Sequence, residues 1–85
     1  MNLVFTKQAE KLYQKLPSVI QKKVDRQFGF LLENYRHPSL RTRKMGGEEK
    51  FEARIDKHYR FTFITVEEDI VILTIGPHDF GLGKP

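Results

Sequence analysis

The chain has 85 residues, enough for one domain with a thin hydrophobic core and too few for two separate cores. Hydrophobic residues make up 39% and aromatic residues 12% of the chain, which excludes intrinsic disorder. There is no cysteine, so disulfides and thiolate metal sites are excluded as sources of stability. We therefore expect a single domain over residues 1–85.

The positive charge is concentrated in the middle of the chain. Residues 36–60 contain eight cations and four acids, so this stretch alone accounts for the formal net charge of +4. A basic segment favours a polyanionic partner, because lysine and arginine neutralise phosphates. A solvated surface without a partner is the alternative for so mild a charge.

The N-terminus has no feature of a targeting segment. Residues 1–6 lack the charged start of a secretory signal, and their apolar run is too short for one. No stretch approaches the roughly 20 apolar residues that a membrane span requires. These features predict a cytoplasmic protein without a membrane partner.

The N-terminal part predicts a strand and a first helix. Residues 3–5 are a short apolar run typical of a strand. Thr6 is a suitable N-cap for the helix that follows. Spacings of three and four residues predict one apolar helix face, formed by Ala9, Leu12, Tyr13 and Leu16.

A second helix is predicted after a tight joint. Pro17 ends the first helix and can start the second, since proline is tolerated only in a first turn. Ser18 is the other possible start, because it fits a capping box with Gln21. We expect this helix to end near Tyr35, since the following His37-Pro38 disfavours helix.

After Pro38 the pattern changes to a period of two. Residues 40–45 predict a polar edge strand that ends at Gly46-Gly47, and residues 51–55 and 59–63 alternate around a turn at 56–58. Residues 70–75 are apolar on both faces, which suits a central strand. The order predicts an α+β fold: an N-terminal strand, an antiparallel helix hairpin and a three- to four-stranded antiparallel meander. We expect one antiparallel sheet with the helices covering one face.

Strand alternation predicts a charged open face. If Phe61 and its apolar neighbours at alternating positions point to the helices, the residues between them point away. Neighbouring basic residues and the histidine that follows the last strand are expected close by. The residues expected on or near this face are Arg41, Arg43, Lys44, Glu52, Arg54, Arg60, Thr62 and His78.

These groups suit RNA transesterification. In that reaction a base takes the proton of a 2′-hydroxyl and an acid protonates the leaving 5′-oxygen. His78 is the natural proton carrier, because histidine titrates near neutral pH. Arg54 and Arg60 can bind a phosphate with paired N–H donors and stabilise the phosphorane. No metal or other cofactor is expected.

Each assignment has a structural alternative. A histidine after a Gly-Pro turn is more often a surface residue, and Glu52 and Arg54 can be paired charges on a sheet face. Arg60 can pair with Asp56. The aromatic residues of the 59–63 strand are expected in the core rather than stacked on bases.

Two segments resemble a known family. Residues 51–61 read FEARIDKHYRF, and residues 75–79 read IGPHD. Together with the chain length, the early strand, the Leu16-Pro17 joint and the final hairpins, they resemble the RelE/ParE toxin superfamily, in particular its RelE-like branch. The resemblance extends over nearly the whole chain and implies a RelE-like fold.

The resemblance also implies a function. RelE-type members are toxins of type II toxin–antitoxin systems that enter the ribosomal A site and cleave the mRNA there without metal, which inhibits translation. The implied partners are the ribosome, the mRNA and a cognate antitoxin protein. By resemblance, Arg60 contacts the scissile phosphate, Arg54 is a basic residue on the preceding strand and His78 is the general acid. A ParE-like gyrase poison and an inactive relative that only binds its antitoxin are the alternatives.

The chain departs from the family pattern in its candidate base. Glu52 and Arg54 stand where members with a lysine-rich site carry two lysines, and residues 41–44 read RTRK without a carboxylate. Asp79-Phe80 replaces a C-terminal tyrosine. Glu52 and Lys44 are the candidates for the base step, and the remaining nucleic-acid-binding residues are expected to be Arg41, Arg43 and Lys57.

Overall fold

The structure, a computed structural model that describes residues 2–45 and 49–77, contains two α-helices and a five-stranded sheet. The elements in chain order are β1 (Asn2–Phe5), α1 (Lys7–Gln14), α2 (Ser18–Glu33), a short 3-10 helix (Pro38–Leu40), β2 (Arg43–Lys44), β3 (Phe51–Arg54), β4 (Tyr59–Val66) and β5 (Asp69–Pro77). The strand order is β1-β5-β4-β3-β2. The predicted α+β class and the order of strand, helix pair and meander are confirmed.

The sheet is mixed, and the expectation of one antiparallel sheet is wrong at its first edge. β2, β3, β4 and β5 form the antiparallel meander, but β1 pairs with β5 in parallel, with Val4 opposite Val71. The N–H of Thr6 extends this pairing by donating to the Ile72 carbonyl at 3.2 Å. β5 is apolar on both faces, as expected of an interior strand, and β1 pairs with the edge of β5 that the meander leaves open.

The first helix begins where the sequence predicts. The Thr6 side chain accepts a hydrogen bond from the Ala9 N–H at 3.0 Å, which satisfies one of the free donors of the first turn. Ala9 is fully buried, and Leu12, Tyr13 and Leu16 pack against the core as the predicted helix face.

The second helix begins at Ser18, with Pro17 as its N-cap and without a side-chain cap. The capping box does not form, because Gln21 donates through Nε2 to the Tyr13 carbonyl at 2.8 Å and so joins the two helices. The helix ends at Glu33, two residues before the predicted Tyr35. No helix in the described ranges combines the length and apolar character needed to cross a membrane.

The predicted edge strand over residues 40–45 is only partly formed. Pro38–Leu40 is a 3-10 helix, and the strand is limited to Arg43–Lys44. Leu40 is fully buried and Arg41 is left-handed, with φ 49° and ψ 46°, so the chain cannot be extended before Thr42. Core burial of Leu40 outweighs the local preference for a strand. Gly46 and Gly47, which were expected to end this strand, lie outside the described residues.

The core lies between the helices and one face of the sheet. Phe61 and Phe63 are fully buried, and the Phe28 ring of α2 meets the Phe61 ring edge to face at 5.0 Å. The aromatic residues of β4 are therefore core residues, as predicted. The buried apolar set is Ala9, Val24, Phe28, Leu31, Leu40, Ala53, Ile55, Phe61, Phe63, Ile70, Ile72 and Ile75.

Asp56 organises the turn between β3 and β4. Its Oδ1 accepts the N–H groups of His58 at 2.8 Å and Tyr59 at 2.9 Å, and its Oδ2 pairs with Lys23 of α2 at 3.1 Å. Burial raises the pKa of Asp56, but the hydrogen bonds from His58, Lys23 and Tyr59 outweigh burial, so its pKa lies below the ordinary 3.8. The carboxylate fastens the turn to the helix layer.

Gly29 is a site for stabilisation. It lies inside α2, and a Cβ placed there would meet nothing within 4 Å beyond its chain neighbours and the backbone of its own helix. Gly29→Ala should raise the free energy of unfolding by about 0.5–1 kcal/mol, because alanine loses less backbone entropy in a helix. Gly29→Ser should give a smaller gain. Urea denaturation of the three proteins tests this, and a less stable Gly29→Ala protein would contradict it.

Asp56→Asn should reduce stability in a pH-dependent way. Asparagine can still accept the two backbone N–H groups but loses the charge that pairs with Lys23. A depressed pKa gives stability that is present above the unfolded value of 3.8 and is lost as pH falls through the folded pKa. The difference between the wild type and Asp56→Asn should therefore be largest at roughly pH 6 and shrink as the pH falls below 3.8. Urea titrations at these pH values measure it; a constant difference would rule out the charge as its source.

Candidate nucleic-acid interface

The face of the sheet opposite the helices carries a polar cluster. In the ladders Arg43 lies opposite Glu52, Glu52 opposite Thr62, and Arg54 opposite Arg60. Directly opposite residues share a face. The predicted alternation thus brings these side chains together on the face that the helices leave open.

Five of the predicted site residues line one open cleft of about 220 Å³. We call it the arginine cleft, and its lining residues are Arg41, Arg43, Glu52, Ala53, Arg54 and Arg60. Four guanidinium groups face a single carboxylate, so the cleft has a positive potential and attracts anions. The forked donors of arginine match the geometry of a phosphate.

Arg60 is held by the turn between β3 and β4. Its Nη1 donates to the backbone carbonyls of Asp56 at 2.7 Å and Tyr59 at 3.0 Å, with a longer contact to that of Lys57 at 3.5 Å. The Asp56 carboxylate binds Lys23 instead, so the alternative of an Arg60–Asp56 ion pair is not formed. The guanidinium is positioned at one end, and its remaining N–H groups are available to a ligand.

Arg54 lies beside Arg60. Its Nε donates to the Asp56 carbonyl at 3.3 Å, the same oxygen that Arg60 Nη1 contacts. One acceptor therefore holds two guanidinium groups side by side. Their mutual repulsion makes a bound anion between them favourable.

Gln27, which the sequence analysis missed, supports Arg54 from beneath. This residue of α2 is 7% exposed, and its Nε2 donates to the carbonyls of Arg54 at 2.8 Å and Ser39 at 3.2 Å. It ties the strand and the 3-10 helix to the helix layer. The available signal was a polar residue within the apolar face between Val24 and Leu31.

Glu52 is a buried carboxylate with one free oxygen. It is 4% exposed, and its Oε1 accepts from Arg43 Nε at 3.0 Å. Its Oε2 is buried and has no hydrogen-bond partner within the described part of the chain. The alternative of a sheet-face ion pair is thus observed for Glu52. Next to Glu52 in the sheet, the Thr62 and Thr74 hydroxyls share a hydrogen bond of 2.6 Å between β4 and β5.

The other candidate residues differ in position. Arg41 lines the cleft, and its guanidinium has no partner in the described ranges. Lys57 is exposed in the turn. Lys44 follows Arg43 on β2 and so points to the opposite face, where it pairs with Glu49 at 3.3 Å. The structure does not bring Lys44 together with Arg54 and Arg60.

His78 lies outside the described residues, immediately after β5 ends at Pro77. Its role stays a prediction. Across residues 2–45 and 49–77, no group of three or more His, Cys, Asp or Glu side chains is arranged to hold a metal ion.

Substitutions of Arg43 and Glu52 should have non-additive effects on the free energy of unfolding. Arg43→Met should lower the free energy of unfolding by about 1–3 kcal/mol, because it leaves the Glu52 carboxylate buried without a partner. Glu52→Met together with Arg43→Met should be less damaging than Arg43→Met alone, since no uncompensated charge remains. Urea denaturation of both single variants and the double variant measures the coupling, and strictly additive effects would show that the pair contributes nothing.

Comparison with solved structures identifies the fold. No protein-family model and no curated protein sequence matches the chain. Among solved structures, a YoeB/ParE toxin from Agrobacterium tumefaciens has a TM-score of 0.79 at 15% identity and covers 92% of this chain and 99% of its own. A chain of the intact E. coli RelBE toxin–antitoxin complex has a TM-score of 0.71 at 20% identity, covering 87% of this chain and 92% of its own. For the RelBE2 toxin–antitoxin complex from Mycobacterium tuberculosis the TM-score is 0.70 at 25% identity, with coverage of 91% and 96%. By its architecture, the chain has the fold of the RelE/ParE toxin superfamily, as the resemblance of its sequence predicted.

Proposed function

We propose that the chain is the toxin of a type II toxin–antitoxin system and acts in the cytoplasm as a ribosome-dependent mRNA endoribonuclease. The observation that carries the proposal is the arginine cleft, in which Glu52, Arg54 and Arg60 lie together with Arg41 and Arg43. The fold supports it, since the similar structures include RelE and YoeB toxins and complexes of such toxins with antitoxins. A cognate antitoxin is the proposed protein partner.

The substrate phosphate is proposed to bind between Arg54 and Arg60. Both guanidinium groups are anchored at the Asp56 carbonyl, so they bind the phosphate without first losing side-chain freedom. The mRNA 2′-oxygen attacks phosphorus, the P–O5′ bond breaks, and a 2′,3′-cyclic phosphate and a 5′-hydroxyl result. The arginines stabilise the charge of the phosphorane between these steps. Arg41, whose guanidinium has no partner in the described part of the chain, adds a further cation to the cleft.

Proton transfer is assigned to Glu52 and His78. Glu52 is a better base candidate than Lys44, because it lies in the cleft and its Oε2 has no partner among the described residues, whereas Lys44 points to the other face. Movement of the Arg43 side chain, which is 66% exposed, opens Glu52 to the substrate. His78 is the proposed general acid that protonates the leaving 5′-oxygen. The chemistry needs no metal.

The character of the cleft supports the proposed dependence on the ribosome. The four arginines bind phosphate and do not read base edges, and the cleft is open to solvent. Phosphate contacts alone give weak binding at physiological salt. The A site would present the codon at high local concentration and in an extended form.

Induction of the chain in bacteria, followed by mapping of mRNA 5′ ends, tests the proposal. We expect growth arrest and new 5′ ends within translated codons. Arg60→Lys should lower cleavage by roughly 100-fold, because lysine keeps the charge but loses the forked donors. Lys11→Gln, which removes one exposed cation of α1, should cleave like the wild type.

Further variants separate the roles. Arg41→Asn keeps a residue that tolerates the left-handed backbone at φ 49° and should reduce cleavage less than Arg60→Lys. His78→Ala should abolish cleavage with unchanged thermal stability.

Growth arrest with intact mRNA would overturn the proposal in favour of a gyrase poison, and normal growth would identify an inactive relative that only binds its antitoxin.

A further inference from the structure

A second cleft of about 210 Å³ lies beside β2 and has no part in the proposed chemistry. We call it the edge cleft, and its lining residues are Tyr35, Arg36, Thr42, Arg43, Lys44 and Phe51. Two aromatic rings and three cations line it, and no carboxylate is among its lining residues. This combination of flat apolar surface and positive charge matches a nucleotide, which has an aromatic base and a phosphate.

The aromatic walls are fixed before any ligand binds. The Tyr35 and Phe51 rings lie with their centroids 5.6 Å apart, and they pack on the fully buried Phe63 at 6.3 Å and 5.3 Å. Both rings are half-buried, so one side is held by the core while part of each stays exposed. A base stacking there orders no mobile side chain, and stacking is available to every base.

The cations of the edge cleft are accessible to a phosphate. The Arg36 guanidinium lies 5.5 Å from the Tyr35 ring centre and has no carboxylate partner in the described ranges. Lys44 pairs with Glu49, but the Glu49 side chain is 90% exposed. An exposed pair contributes little, so a phosphate can replace Glu49. The Thr42 hydroxyl is not available as a donor to a ligand, because it donates to the Tyr35 carbonyl at 2.6 Å. This hydrogen bond helps to fix the position of Tyr35.

The edge cleft and the arginine cleft meet at Arg43, which lines both. β2 is the last strand in the order of the described sheet, and it has only two residues, Arg43 and Lys44. Successive residues of a strand point to opposite faces, and here Lys44 lines the edge cleft alone while Arg43 lines both clefts. A single strand of nucleic acid can therefore cross the free edge of β2 and occupy both clefts, with Arg43 at the crossing point.

We propose that the edge cleft binds the RNA nucleotide adjacent to the one whose phosphate lies in the arginine cleft. Its base stacks against Tyr35 and Phe51, and its phosphate is bound by Arg36 and Lys44. The inference rests on the proposed function, since it takes single-stranded RNA as the occupant of the arginine cleft. Because the test measures binding rather than cleavage, the two can fail separately.

The test compares binding of a 2′-O-methyl adenosine trinucleotide and of adenosine 3′-monophosphate to the purified full chain, by calorimetry. Tyr35→Leu should weaken trinucleotide binding by roughly tenfold, because it removes one stacking surface. It should leave mononucleotide binding within about twofold, because the phosphate site is separate. Tyr35→Phe keeps the ring and should bind the trinucleotide like the wild type. Thermal denaturation of each variant controls for folding.

Two further measurements identify the contacts. A trinucleotide without the base at one end should bind Tyr35→Leu and the wild type equally, because the stacked base is already missing. Arg36→Gln should reduce the slope of log affinity against log salt by about 0.7, the value for one lost phosphate contact on a single strand. The control is Lys15→Gln, which removes an exposed cation at the C-cap of α1, a residue that lines neither cleft; it should leave the slope unchanged.

Three results would overturn the inference. In the first, Tyr35→Leu and Arg36→Gln leave trinucleotide binding unchanged, whereas Arg41→Asn weakens it. That result would leave the arginine cleft and the proposed function in place. The second is an absence of trinucleotide binding by the wild type. In the third, binding of a hexaglutamate peptide depends on Tyr35 and Arg36, whereas RNA binding does not. That result would identify an acidic peptide as the occupant of the edge cleft.

Discussion

The burial of Phe61 and Phe63 against the helix layer fixes the face of every charged residue in the arginine cleft. Side chains of a strand alternate, so burying these rings forces Arg60 and Thr62 onto the opposite face. The ladder with β3 then places Arg54 and Glu52 beside them. A slip by one residue would put a guanidinium into the core and two phenylalanines into water, which the hydrophobic effect strongly opposes. The position of the cleft is therefore a consequence of the core.

Glu52 destabilises the sheet. A buried carboxylate oxygen without a partner is destabilising, because the lost hydration is not replaced. An apolar residue opposite Thr62 would pack without this penalty. This buried oxygen lies in a cleft lined by four arginines, and a catalytic role is one recognised reason for an unsatisfied buried polar group. This placement supports a role for Glu52 toward a ligand, in addition to holding Arg43.

Much of the fold could be predicted because it is encoded in local patterns. Helical spacing predicted the buried Ala9, alternation predicted the burial of Phe61, and the same alternation predicted that Arg54 and Arg60 share a face. The parallel pairing of β1 could not be predicted, since a short apolar run carries no information about its partner or direction. The left-handed Arg41 was also unpredictable, because it follows from the tertiary burial of Leu40.

The candidate site also has features that the sequence could predict and features that it could not. Residue types and alternation gave the members of the arginine cleft, but not the hydrogen bonds that distinguish them. Whether Arg60 binds the Asp56 carboxylate or its carbonyl depends on the position of Lys23, which is far away in sequence. The separation of Lys44 from the cleft depends on where β2 begins, and strand ends are the least certain feature of any sequence pattern.

The cationic side chains of β2 have a structural explanation besides ligand binding, because they protect an edge strand against pairing with another chain. An exposed edge strand has free N–H and C=O groups that can pair with another chain, and proteins oppose this with short strands and cationic side chains. β2 has two residues, both cations, and Arg41 precedes it in a conformation that no strand can continue. The same features keep protein strands away and leave a positive, unobstructed border between two clefts. An edge protected in this way is closed to a β-strand and open to a polyanion, so protection against aggregation and attraction of negative charge are two effects of one arrangement.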